Sequence, residues 1–190
     1  MMRIITGKYK GRVIKMPKGI RPTQDKVRKA LFDILGDISE MSFLELFAGS
    51  GAIGIEALSR GAKEAEFVEE KRDCARQIAA NLAFIKAGGR RITQSDAQEA
   101  IKKLSREGKR FEIIFLDPPY CKGPVAGAVE PLVKKTLRTL SSYDILAPCG
   151  LAIAQHFKKD LLPDTLGDLI LFRQSRYGDT VLSFYRKCAR

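Results

Sequence analysis

Apolar residues recur along the chain in two alternating rhythms, and their punctuation gives the order of elements. Short β-prone runs at 2–6 and 11–16, around Gly7 and Gly11, predict a hairpin, and Pro17-Lys18-Gly19 predicts a linker. After Thr23, a plausible N-cap, Val27, Ala30, Leu31, Ile34 and Leu35 recur at helical spacing as far as Gly36. Ser42 to Phe47 (SFLELF) is a buried-strand run. A glycine turn follows it, then a helix to about Arg60 closed by Gly61. Strands over 64–68, 91–94 and 111–116 (FEIIFL) alternate with helices over about 72–86, through about 107, and over roughly 125–140. A fifth strand is expected at 151–155. Two final β runs, 168–174 and 180–186, flank the turn Tyr177-Gly178-Asp179.

Strand–helix alternation implies an α/β fold with a mostly parallel sheet and helices on both faces, because parallel strands need helical crossovers. In such sheets ligands bind beyond the carboxyl ends of the strands. The residues just after each strand are therefore the candidates for chemistry. At 190 residues the chain is expected to form one domain, 1–190, in which 1–20 is a hairpin extension and 21–190 the core.

Charge changes this picture at one end. Residues 1–30 carry ten basic side chains and one acid, a net +9 out of the chain's +12. Because the basic residues alternate with Ile4, Ile5, Tyr9, Val13 and Ile14, the segment reads as a folded basic ribbon that meets a polyanion, with Arg3, Lys8, Lys10 and Arg12 as the contacts. A solvated basic tail is the plainer alternative. The four cysteines form no Cys-x-x-Cys pair, and His156 is the only histidine, so no metal site and no histidine triad are expected. No apolar run is long enough for a membrane span, and Met1 to Lys10 lacks the apolar centre of a signal peptide, so a cytoplasmic protein is expected.

Gly49-x-Gly51-x-x-Gly54 follows a strand and opens a helix, the context of a nucleotide-binding turn, although a merely tight strand-to-helix turn would look alike. Glu69, with Glu70 as its substitute, follows the second strand of the alternation, and Asp96 follows the third. Both are suited to a nucleoside with free hydroxyls. The sharpest signal is Asp117-Pro118-Pro119-Tyr120 at the end of FEIIFL. Two prolines end the strand rigidly and leave the Pro118 carbonyl free to face a pocket. The Asp117 carboxylate and that carbonyl can accept both protons of a nucleobase amine while Tyr120 offers a stacking ring, which fits methylation of an amine.

With these motifs the whole chain resembles the class I S-adenosylmethionine-dependent methyltransferases, and more narrowly the RsmD family of 16S ribosomal RNA guanine-N2 methyltransferases. The resemblance runs through MRIITGKYKGR (2–12), RPTQDKVRKALFDIL (21–35), LELFAGSGAIGIEALSRGA (44–62), FVEEKR (67–72), FLDPPY (115–120) and RYGDTVLSFYR (176–186). It implies a Rossmann-like, seven-stranded sheet with a C-terminal antiparallel hairpin. It implies S-adenosylmethionine as cofactor, held by Glu45, Phe47, Gly49 and Gly51 at its methionine and ribose part, by Glu69 at the ribose hydroxyls and by Asp96 at the adenine amine. Arg21 and Thr23 fall on a segment expected to close over the amino-acid end. Asp117, Pro118, Pro119 and Tyr120 would receive a guanine turned out of its helix or loop. The implied partner is 16S rRNA in the small ribosomal subunit, met by a monomer. Glu45 stands where the family more often has Asp, and Gln155 where many relatives carry an acid, so no role is assigned to Gln155 or His156. Lys26 and Lys29 make the first helix more basic than expected, which favours phosphate contact.

Rival readings account for fewer residues. An NAD-dependent oxidoreductase would use the glycine turn and Glu69 but neither the Asp-Pro-Pro-Tyr motif nor the basic ribbon. A non-catalytic RNA-binding protein would leave both pockets idle. Adenine N6 in DNA and glutamine N5 in protein are served by the same motif, but the charge disfavours a protein substrate and the length leaves no room for a DNA-recognition domain. A cytosine-C5 enzyme would need a cysteine nucleophile after a proline. Cys149 after Pro148 reads as structural, and Cys121 lacks an activating base.

Overall fold

The computed structural model describes residues 1–17, 19–20, 23–119 and 130–187. The chain divides into two compact units, 1–96 and 97–190.

The first unit opens with β1 (Met2–Arg3) and β2 (Val13–Ile14), an antiparallel pair in which Met2 faces Ile14 and Arg3 faces Val13. Then come α1 (Asp25–Leu35), β3 (Ser42–Leu46), α2 (Ala52–Ser59), β4 (Glu64–Glu69), α3 (Arg72–Ile85) and β5 (Arg90–Gln94). Strand β4 lies between β3 and β5, all parallel, with Leu46 level with Val68 and Glu69 with Gln94. The three strand ends therefore share one edge. All five residues of β3 are buried, as expected of a strand covered on both faces. Phe67 and Ile78 lie close under Gly51 and Gly54 at the start of α2, Phe43 stacks on Phe32 of α1 with ring centres 6.5 Å apart, and Ile53 and Leu82 are buried as well. At about 1.5–3 kcal/mol per fully buried large apolar side chain, this layer is what holds the strand ends in place.

The second unit holds α4 (Ala97–Arg106), β6 (Phe111–Leu116), α5 (Leu132–Ser142), β7 (Leu146–Phe157), β8 (Thr165–Leu166), β9 (Leu169–Tyr177) and β10 (Thr180–Lys187). Its sheet order is β6-β7-β10-β9-β8, parallel between β6 and β7 and antiparallel beyond. Gly178, at a φ of +64°, makes the β9–β10 turn. The α/β class and the C-terminal antiparallel hairpin are as the sequence implied.

Several details differ from expectation. Strand β8 adds a two-residue strand to the seven anticipated. Strand β7 starts five residues early. It takes in Pro148 and Cys149, which sit in a register shift: Phe111 pairs with Leu146 but Ile113 with Leu151. Cys149, exposed at a φ of +61°, belongs to that bulge and not to a turn before the strand. Gln24, not Thr23, is the N-cap of α1, and it caps without a side-chain bond. Helix α5 begins only at Leu132, with Glu130 and Pro131 outside it, and the expected stretch 125–129 of that helix lies outside the described residues.

Candidate active site

The glycine turn is built around two buried carboxylates. Phe47, Gly49 and Gly51 follow β3 with φ of +59°, +55° and +74°, a left-handed path that tightens the chain into the start of α2. Glu45, the one acid in β3, is buried beneath it. Its Oε2 accepts the Gly54 N–H at 2.8 Å and its Oε1 the Ile53 N–H at 3.3 Å. These are backbone donors that the first turn of a helix leaves unpaired, and a carboxylate there is also favoured by the helix dipole. Glu45, expected at the cofactor's methionine end, thus braces the turn from inside. Glu69 ends β4, and its Oε2 accepts the Gly49 N–H at 2.7 Å while its Oε1 accepts the Lys71 N–H at 2.8 Å. Each oxygen keeps a second lone pair, so a ribose diol can still donate to it.

The glycines divide their work. A Cβ on Gly54 would sit 2.4 Å from the Phe67 ring, so this position is small because helix and strand touch there. A Cβ on Gly49 would meet only the Ile20 side chain at 3.5 Å, an ordinary contact. Packing does not demand glycine at 49. The positive φ and an open approach for a ligand do. Such a cradle, with a carboxylate at its edge, fits S-adenosylmethionine. Phe47, at the turn, and Thr23, just before α1, are half-buried, and Asp96 is exposed just past β5. Arg21 lies outside the described residues.

In the second unit the FEIIFL strand delivers Asp117, half-buried, and Pro118, buried, at the end of β6. Gln155, at the matching end of β7, donates from Nε2 to Asp117 Oδ2 at 2.7 Å. Both prolines, Leu132, Val133, Gln155 and His156 line a small cleft there. His156 is not a free acid–base group. Its Nδ1 lies 3.0 Å from the Phe157 carbonyl and must donate to it, which leaves Nε2 to accept the Ser183 hydroxyl at 2.8 Å. Burial holds its pKa below the usual histidine value. Tyr120 and Cys121 lie outside the described residues.

The basic ribbon is fixed, not trailing. Glu56, fully buried and the one acid in α2, accepts the Ile5 N–H at 2.8 Å and the Thr6 N–H at 3.0 Å, and pairs with Arg60 at 3.0 Å. Ser59 accepts the Tyr9 N–H and donates to the Thr6 carbonyl, while Asn81 bonds both backbone groups of Lys15. Arg3, Lys8, Lys10 and Arg12 stay exposed on this platform, and Lys8 and Arg12 each lie 5.7 Å from the Tyr9 ring. Sequence reasoning missed Glu56, Ser59, Asn81 and Gln155. The available signal was a lone acid in an apolar helix and a polar residue ending a buried strand. Among the described residues no cluster of metal-ligating side chains occurs, and no helix is long and apolar enough to cross a membrane.

The family model described as "Conserved hypothetical protein 95" matches residues 2–186. Of curated proteins, YlbH of Bacillus subtilis is 35% identical over 98% of this chain and 99% of its own. The Ribosomal RNA small subunit methyltransferase D of Escherichia coli is 34% identical over 100% of this chain and 91% of its own. The solved structure of yhhF from Escherichia coli superposes with a TM-score of 0.84 at 35% identity, covering 100% of this chain and 99% of that one. The chain belongs to the RsmD family. As an RsmD-family fold it is a class I methyltransferase, and the braced glycine turn and the Asp117 edge are the two features of that fold on which chemistry can rest.

Proposed function

We propose that the chain transfers a methyl group from S-adenosylmethionine to the exocyclic N2 amine of a guanine in 16S rRNA of the small ribosomal subunit. The observation that carries this reading is the acceptor edge of the second unit, where the Asp117 carboxylate is held by Gln155 beside Pro118 and a proline-walled cleft. The name of the Escherichia coli relative supports ribosomal RNA as the substrate class. Residues 1–190 act in this reading as one methyltransferase domain, a cytoplasmic monomer with 1–20 as its basic extension.

The residues present would hold the cofactor at Gly49 and Gly51, with Glu69 at its ribose, Asp96 at its adenine and Thr23, Phe47 and Glu45 supporting its methionine end. When bound, S-adenosylmethionine supplies a sulfonium methyl that carries its own leaving group. The chain then has to position an amine. Asp117 and the Pro118 carbonyl accept the two N2 protons, which localises the nitrogen lone pair and aims it. As positive charge grows on the amine nitrogen, the Asp117 carboxylate would accept the proton that nitrogen gives up. Tyr120 stacks on the base, and Arg3, Lys8, Lys10 and Arg12 take phosphates. Asp117→Ala is expected to cut methyl transfer by about 10²–10⁴-fold and to leave S-adenosylmethionine affinity within a few fold. Unchanged turnover would remove Asp117 from the reaction.

A further inference from the structure

Gln155 sits at the acceptor edge with its two amide atoms in unlike situations. Its side chain is buried, 5% exposed, at the end of β7. Nε2 donates to Asp117 Oδ2 at 2.7 Å. Oε1 is buried and has no hydrogen-bond partner among the described residues. The amide cannot be turned over to relieve this, because its oxygen would then face a carboxylate oxygen at hydrogen-bonding distance, acceptor against acceptor. Asp117 therefore fixes which atom Gln155 presents, and it presents only a lone pair. A buried acceptor left unpaired is costly, so its persistence calls for an explanation. The same residue lines the cleft with Pro118 and Pro119.

We infer that Gln155 Oε1 accepts the ring N1–H of the target base and so selects guanine. This rests on the guanine-N2 reading and deepens it. The chemistry follows from what stands next to each base's amine. In guanine the N2 amine adjoins N1–H, a donor. In adenine the N6 amine adjoins the N1 lone pair, and in cytosine the N4 amine adjoins the N3 lone pair. The Asp117 carboxylate and the Pro118 carbonyl accept from any of these amines and do not tell them apart. A fixed acceptor alongside them does: it pairs with guanine and sets lone pair against lone pair for the other two. Sites that bury a hydrogen-bonding group discriminate strongly against substrates that cannot satisfy it. Gln155 thereby has two roles, as a positioning residue for Asp117 and as the reader of the neighbouring ring atom.

The test uses 16S RNA, joined from fragments and presented in small-subunit particles, that carries guanine or 2-aminopurine at the nucleotide the wild-type protein methylates. 2-Aminopurine keeps the amine but has a lone pair at N1. Wild-type protein should methylate it about 100-fold more slowly. This comparison needs no variant. For Gln155→Met, checked by thermal unfolding and S-adenosylmethionine binding, guanine transfer should fall about 10–100-fold and the preference over 2-aminopurine should shrink to within about threefold. Gln155→Glu retains an acceptor oxygen but sets a second carboxyl group against Asp117, so it should slow transfer while keeping most of that preference. Equal wild-type rates on the two bases would overturn the inference. So would a Gln155→Met protein that is slower on both by the same factor, since that is the signature of Gln155 acting only through Asp117. If the wild-type product is not N2-methylguanosine, the underlying reading fails and takes this one with it. If the product is N2-methylguanosine but the base preference does not depend on Gln155, this inference alone fails.

Discussion

Replacing Glu56 by glutamine exchanges one oxygen for a donor at a place surrounded by donors. Oε2 receives the Ile5 N–H, while Oε1 receives the Thr6 N–H and the Arg60 Nε. Whichever way the new amide turns, its NH₂ faces at least one of these donors. The buried Arg28, whose charge is opposed first by desolvation and supported by Glu56, loses that support as well. Hydrogen bonds to a charged group contribute about 1.5–3 kcal/mol each, and one or two are lost, so the cost is about 2–4 kcal/mol. For a chain of this length that lowers the thermal midpoint by roughly 5–15 °C. The ribbon that carries Arg3, Lys8, Lys10 and Arg12 should come away first, because Glu56 ties its backbone to α2. Filter binding to 16S RNA across a salt series should then show affinity lower by about tenfold and a shallower salt slope. S-adenosylmethionine affinity should stay within about threefold, since the cofactor cradle does not use Glu56. A midpoint within about 2 °C of wild type, with RNA binding unchanged, would refute the claim that this carboxylate anchors the ribbon.

Three further outcomes are expected. Charge reversal at Lys8, Lys10 and Arg12 should weaken RNA binding and flatten its salt dependence, and an unaltered salt slope would show that RNA is bound elsewhere. Gly49→Ala should weaken S-adenosylmethionine binding, read by calorimetry, whereas Gly54→Ala should chiefly lower stability, by about 1–3 kcal/mol, because its methyl meets Phe67; equal loss of cofactor affinity in both would contradict that division. His156 is held neutral by burial, with its folded pKa below the unfolded value of 6.5. The unfolded state thus binds the extra proton first as pH falls, and stability contributed by His156 is present above pH 6.5 and lost below it as the pH drops through the folded pKa. Thermal midpoints measured from pH 7.5 to 5 should fall on the acid side in wild type and fall less in His156→Gln.

What the sequence made legible is what local rules encode. FEIIFL stopped by two prolines could only be a buried strand with a rigid end, and β6 spans those six residues. The three glycines after an apolar run fixed the turn into α2. The spacing said nothing of how they divide the work, since that depends on Phe67 approaching Gly54 from another strand. The acids were found and their immediate partners were not. Glu45 was read as a ligand contact from the resemblance and Glu69 because it ends a strand, yet each first satisfies backbone N–H groups of the turn, and every residue has such a donor. The same blindness hid Glu56, whose partners are the amides of Ile5 and Thr6 some fifty residues away. Gln155 was noticed only as a missing acid. Its meaning depends on the hydrogen bond to Asp117, which comes from the parallel pairing that sets Leu116 beside Ala154. The bulge at Pro148-Cys149 was not foreseen, and the fifth strand was begun too late, because a register shift leaves no periodic trace.

The decisive assay for guanine-N2 transfer is labelled methyl transfer from S-adenosylmethionine to small ribosomal subunits, free 16S RNA, duplex DNA and ribosomal protein, with the modified product digested and identified by mass spectrometry. The expected product is N2-methylguanosine in 16S rRNA, at one nucleotide, with no label in DNA or protein. N6-methyladenine, methylglutamine, or no transfer by a protein that binds S-adenosylmethionine would contradict it.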